Sequence, residues 1–319
     1  MKSVPNWGVC LAMVLAAACW GAGTVLSRGA LGYFRPLTLL VVQLFASLTL
    51  LWALIAVQRS QVPLRRETLR LALTGLLNPG LAYTFSLLGL ALTTASMSAL
   101  LWAVEPILIL GLAWLVLRER LGRSLLACSL LAITGVFLVM GTGSGTSNPG
   151  SLVGNLLTLA GVLCCALYVT LTRQAVASLD PLPLVAVQQT VAFAWALLIW
   201  PFEMRRGALA GLATIPPDGW LWAVASGVVY YALAFWFFIF GLKEMPASLA
   251  GLFLNLIPIF AVGGATIFLG ERLATAQWAG AALVLVAVVV VSWMQFQDRF
   301  VSGCQEGAQP PGSALRLRL

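Results

Sequence analysis

Apolar positions along this chain come in long unbroken runs, each closed by a charge, a proline or a glycine. Ten such runs cover approximately residues 7–27, 37–57, 69–91, 95–117, 124–142, 152–172, 182–202, 219–241, 247–269 and 275–296. A run of about 20 residues at a rise of ~1.5 Å spans the ~30 Å hydrocarbon of a bilayer. Lipid offers no partner to an open strand edge, so each run is expected to be a helix. The pattern predicts an all-α membrane protein with ten transmembrane helices.

Composition agrees. Apolar residues make up 61% of the 319 positions, charged residues 9%, and mean hydropathy is +0.99. A soluble domain carries about 25% charge. The net charge of +8 does not read as a nucleic-acid surface, because the bases are spread over short connections between the runs. With the amino terminus in the cytoplasm, thirteen Lys and Arg fall on the cytoplasmic side and five on the other. That asymmetry predicts a multi-pass protein of the cell membrane with both termini cytoplasmic and its basic residues at lipid headgroups. The apolar run that starts at Trp7 continues past Cys19 to Ser27, so it reads as an uncleaved first span rather than a signal peptide.

The chain has no His, which removes the commonest metal ligand and any serine triad. Five of its six Cys lie inside apolar runs and none forms a CxxC pair, so they read as small packing residues. No metal, cofactor or ATPase loop is expected.

Two stretches repeat. Residues 99–108, Ala-Leu-Leu-Trp-Ala-Val-Glu-Pro-Ile-Leu, align with 251–260, Gly-Leu-Phe-Leu-Asn-Leu-Ile-Pro-Ile-Phe, at an offset of 152. A Glu-Arg-Leu triplet starts thirteen residues after each proline, at Glu119 and Glu271. Upstream the offset becomes 145, pairing Pro36 with Pro181 and Gln43 with Gln188. The domains expected are a five-helix repeat over 1–142, a flexible linker over 143–151, a second repeat over 152–296 and a disordered cytoplasmic tail over 297–319. Five is odd, so the second repeat enters the membrane inverted. Inverted repeats typify transporters that expose a midplane site to either side in turn.

Two five-helix halves, Ala18-Cys19-Trp20-Gly21 in the first run, and runs ending Leu117-Arg-Glu-Arg-Leu121 and Leu269-Gly-Glu-Arg-Leu273 together resemble the EamA family of the drug/metabolite transporter superfamily. The resemblance covers residues 7 to about 296. It implies export of small metabolites, often amino acids, through a cavity lined mainly by spans 1, 3, 4, 6, 8 and 9, with spans 5 and 10 standing apart. The first span lacks the acid on which the small multidrug resistance proteins of that superfamily rely, so their coupling scheme does not transfer. Ile257 stands where the first repeat has Glu105.

Glu105 is the sole acid inside any long run, ten residues from Ala95 and hence ~15 Å into its helix. An ionisable group at that depth faces protein or water and marks a functional site by default. Its candidate roles are to bind a substrate amine, to carry a coupling proton, or to lock its helix by a hydrogen bond. Trp102 shares its face. Asn78 in the third run and Tyr230 in the eighth correspond by the 152 offset. With Tyr83, Trp20, Thr24, Tyr168 and Asn255 they form the candidate lining, the bland alternative for each being interhelical packing. Gln43, Gln188 and Gln189 read as interhelical contacts. Pro106 and Pro258 are candidate hinges, or passive kinks.

The function expected is secondary active transport, most simply export, of an amino acid or related amine-bearing metabolite, with the proton as possible coupling ion and a monomer or homodimer as the working unit. A nucleotide-sugar or sugar-phosphate exchanger would call for basic residues in the cavity, and every Lys and Arg lies at or beyond the span ends. An intramembrane enzyme or a non-transporting scaffold are the alternatives from other classes.

Overall fold

The computed structural model describes residues 7–61, 66–105, 107–109, 111–112, 127, 130–131, 133–135, 138, 151–172, 181–205, 212–244, 253–287, 289–290 and 293. Among them every regular element is helical. Helices α1 (Trp7–Ala30), α2 (Pro36–Gln58), α3 (Arg66–Leu73), α4 (Ala82–Leu92) and α5 (Ala95–Trp102) come first. Then follow α6 (Leu152–Thr172), α7 (Pro181–Ile199), α8 (Pro217–Ser226), α9 (Ala234–Glu244), α10 (Ile257–Phe268) and the shorter apolar helix α11 (Thr275–Ala287). Wider turns at Leu77–Leu81 and Gly227–Leu233 join α3 to α4 and α8 to α9 into continuous crossings.

Six segments among the described residues are long and apolar enough to cross a membrane: Trp7–Ala30, Pro36–Gln58, Leu69–Leu92, Leu152–Leu171, Leu182–Met204 and Pro217–Phe238. They coincide with six of the ten expected runs. The chain is thus a multi-pass integral membrane protein. Parts of runs 95–117, 247–269 and 275–296, most of 124–142, the 143–150 part of the linker, and the tail lie outside the described residues.

The halves interlock through antiparallel pairs, and these pairs obey the sequence offsets. Helices α2 and α7 run side by side: Trp200 Nε1 donates to Thr38 Oγ1 at 3.1 Å, and Ser47 Oγ to Gln189 Oε1 at 2.8 Å. Leu51 and Ile55 then pack on Ala186 and Leu182. Gly89 of α4 meets Thr158 of α6, and Gly241 of α9 meets Met13 of α1. Subtracting 152 from 241 and adding 145 to 13 turns the second contact into the first. Gly75 against Gln188 and Gly227 against Gln43 are related in the same way. A side chain at Gly75, Gly89 or Gly227 would collide with the backbone of the opposite helix, whereas at Gly241 it would displace the Met13 side chain.

The buried glutamines inside the seams find partners on neighbouring helices. Gln43 Nε2 donates to Ser27 Oγ at 2.9 Å and to Ser226 Oγ at 2.7 Å. Gln188 donates to Thr74 Oγ1 at 3.0 Å, and Gln189 to the Tyr231 carbonyl at 3.4 Å. The three glutamines tie helices together, as their burial in hydrocarbon requires.

The fourth and ninth runs are broken at matching points. Helix α5 ends at Trp102, and Ala103–Val104 form a turn before Glu105. Residues 152 further on, Asn255–Leu256 form a turn before α10. Pro258 lies in the first turn of α10, where its missing N–H costs no helical bond. Pro106 lies outside the described residues.

Candidate functional site

Along the axis of the fourth run the polar and aromatic groups fall into three layers. The first lies one turn below the start of α5. Thr24 and Ser27 of α1, Ser86, Leu87 and Leu90 of α4, and Ser98 of α5 surround a cavity of about 10 Å³, closed beneath by Tyr83, Tyr230 and Tyr231. That is on the order of one water molecule, so the site is nearly shut in this conformation. Seven of the nine lining residues carry hydroxyls, which can donate or accept.

The second layer is aromatic. Tyr83 stacks on Trp102, ring centroids 5.9 Å apart at 22°. It meets Tyr230 edge-on at 5.4 Å and Tyr231 at 4.9 Å. The turn at Gly227–Leu233 brings both tyrosines of α8–α9 to the same depth, and the bare Cα of Gly23 lets the Tyr230 ring lie against α1. Trp102 Nε1 donates to Ser86 Oγ at 3.0 Å, which fixes the indole over Tyr83.

Below the rings lies the carboxylate. The Cys165 thiol of α6 donates to Glu105 Oε1 at 3.1 Å, and Asn78 Nδ2 donates to Cys165 Sγ at 3.3 Å. Asn78 comes from the irregular turn before α4, where its extended backbone (φ −141°, ψ 118°) departs from the surrounding helix. Its Oδ1 is buried without a hydrogen-bond partner. An orphaned acceptor in an apolar setting costs about 1–3 kcal/mol, so it is a place where a ligand's N–H or O–H would be welcome. The group can hold a cation or a hydrogen-bond donor between an acid and an amide oxygen. Among the described residues no cluster of His, Cys, Asp and Glu could hold a metal.

Of the residues singled out from sequence, Glu105, Trp102, Asn78, Tyr83, Thr24 and Tyr230 come together in these layers. Glu105 does not line the small cavity; the aromatic layer stands between them. Trp20 instead packs edge-on to Phe235 and Phe238 at 5.3 and 5.4 Å, in the seam between α1 and α9. Tyr168 donates to Gln188 Oε1 at 3.1 Å, one turn beyond Cys165. Asn255 sits half-buried in the turn before α10 and is hydrogen-bonded or otherwise engaged there. Cys165, Tyr231 and the serines 27 and 86 were not anticipated as parts of the site.

Comparison with known proteins gives a consistent picture. The EamA-like transporter family matches twice, over residues 6–141 and 152–293. The uncharacterized transporter YetK of Bacillus subtilis (strain 168) is 26% identical over 250 residues, 77% of this chain and 75% of that protein. YvbV of the same organism is also 26% identical, over 92% of this chain and 94% of its own length. An uncharacterized transporter of Archaeoglobus fulgidus is 21% identical over 88% of this chain and 97% of its own. A solved crystal structure superposes with a TM-score of 0.60 at 18% identity, covering 90% of this chain and 96% of that one, which speaks for the fold alone. A multi-pass helical chain whose two halves each match the same membrane-transport family belongs to the EamA-like transporter family.

Proposed function

We infer that this membrane transporter is a secondary exporter of a small amine-bearing metabolite, an amino acid or close relative, working by alternating access around the Glu105 layer. The observation that carries the reading is the acid itself, in the middle of an apolar run and sharing the Cys165 thiol with an Asn78 amide whose oxygen has no partner. A carboxylate there is costly unless a donor or cation engages it. A thiol is a weak donor, so an ammonium group can displace it. The rings of Trp102, Tyr83 and Tyr230 offer faces to the same cation.

The architecture in this reading is ten spans in two inverted pentads, residues 1–142 and 152–296, with both termini cytoplasmic. Antiparallel pairing of α2 with α7, and contacts that interchange under the 145 and 152 offsets, support it. The turns at Ala103–Val104 and Asn255–Leu256 are the pivots on which half-helices move, with Pro258 in the first turn of α10 keeping that break in place. The proton is the driving ion, exchanged at Glu105 as the substrate leaves.

Reconstitution into liposomes tests this. A panel of radiolabelled amino acids, amines and sugar phosphates is loaded and a pH step applied. Saturable flux of an unmodified amine-bearing compound, accelerated by the step, supports the reading. Chemical conversion of the compound, or flux restricted to sugar phosphates, overturns it.

A further inference from the structure

Two acids just beyond the ends of apolar runs, Glu203 and Glu271, cap helices far from them in sequence. Glu271 reaches the start of α5: its Oε1 accepts from Ala95 N at 2.8 Å and its Oε2 from Ser96 N at 2.9 Å. The chain reaches that position because Gly270 takes a left-handed turn at φ 66°, open to glycine without strain. The third amide of the turn, Met97 N, is taken by the local cap Thr94 Oγ1 at 3.1 Å. Glu203 does the same for α2, accepting from Leu37 N at 2.9 Å and Thr38 N at 2.8 Å, because Arg35 supplies no cap of its own. The helix α2 starts after one crossing and α5 after three, so both acids act at the same membrane face.

Their settings differ. Helices α2 and α7 stay packed from that face to the opposite end, so Glu203 caps a fixed pair. Glu271 instead ties two half-helices. Helix α5 stops at the Ala103–Val104 turn and α10 begins after the Asn255–Leu256 turn. Between these pivots and the capped end, Met97, Leu100 and Leu101 rest on Val262. Directly beneath lies the hydroxyl-lined cavity, with Ser98 as the contribution of α5.

We propose that Glu271 is a latch that pins α5 to α10 and shuts the membrane face above the cavity. While the face is closed, the carboxylate satisfies two amides that would otherwise lack partners. When α5 swings away, water entering the opened face replaces both sides of each bond. The exchange is nearly balanced, which is what a reversible gate needs. This rests on alternating access but not on Glu105 or on any substrate.

The test is thiol accessibility in full-length protein in oriented vesicles. Ser98→Cys is labelled with a membrane-impermeant maleimide from the face that carries Glu271, and that site is quantified by peptide mass spectrometry with the native cysteines retained. Glu271→Gln, which turns one acceptor oxygen into a donor facing an amide, should speed labelling on the order of tenfold. Glu203→Gln should leave the rate within about twofold, since it releases a cap and not a gate. From the opposite face neither variant should speed labelling. Equal rates for Glu271→Gln and the parent, equal acceleration by Glu203→Gln, or acceleration from both faces would each overturn the proposal.

Discussion

Replacing Gly89 with alanine adds one methyl group to a close seam between the halves. The new Cβ would lie 2.6 Å from the Gly154 carbonyl oxygen and 2.8 Å from Thr158 N, both backbone atoms that no side-chain rotation can move. Ordinary contact begins at 3.4 Å, so α4 and α6 must part by about 0.8 Å. Overpacking of this kind costs about 1–3 kcal/mol. Alanine returns up to ~1 kcal/mol of helix propensity, leaving a net loss of roughly 1–2 kcal/mol. Gly263 is the control, because nothing lies within 4 Å of its Cβ position. There the same substitution should be neutral or stabilising by up to ~1 kcal/mol. Unfolding in mixed detergent micelles reads both. Gly89→Ala within about 0.5 kcal/mol of the parent, or no more damaging than Gly263→Ala, would refute the reasoning. The same seam carries Asn78 and Cys165, so a shift of this size should also depress transport.

Cys165→Ala removes the thiol that a substrate must displace from Glu105. It should lower KM for counterflow of the transported amine by roughly three- to tenfold with maximal rate little changed, given ~0.6 kcal/mol for each of two intramembrane hydrogen bonds. Cys165→Ser keeps donor and acceptor and should restore the parent KM; an unchanged KM in the alanine variant would remove Cys165 from the site. Gln43→Leu breaks the bonds to Ser27 and Ser226. It should cost about 1–3 kcal/mol in micelle unfolding, and a more stable variant would show the seam to be dispensable.

How much of this could be read along the chain depends on whether the signal was local. The six crossings among the described residues are legible because a bilayer imposes length and polarity on each helix by itself. The matching breaks at Ala103–Val104 and Asn255–Leu256 were foreshadowed by Pro106 and Pro258 at a common offset. Glu105 stands out because no other acid interrupts a long apolar run in the sequence. Cys165 did not, since sequence treats a buried thiol as an apolar filler. A usable signal was nevertheless present: Trp20 was singled out, and adding the 145 offset to 20 gives 165. Trp20 itself belongs to an aromatic seam, which a face assignment on a uniformly apolar helix could not separate from the cavity. The capping by Glu203 and Glu271 spans 165 to 176 residues of sequence, so only the folded halves bring it about. Arg35 before Pro36 was the clue, for it leaves a helix without a local cap.

The central claim is that the Glu105 carboxyl group is the working part of an alternately exposed site. Proton-coupled flux through Glu105→Gln in liposomes, beside the parent and with equal amounts of folded protein, tests it most directly. The account predicts that driven flux collapses by at least about a hundredfold while micelle stability stays within about 1 kcal/mol. Driven flux at the parent's rate would contradict it.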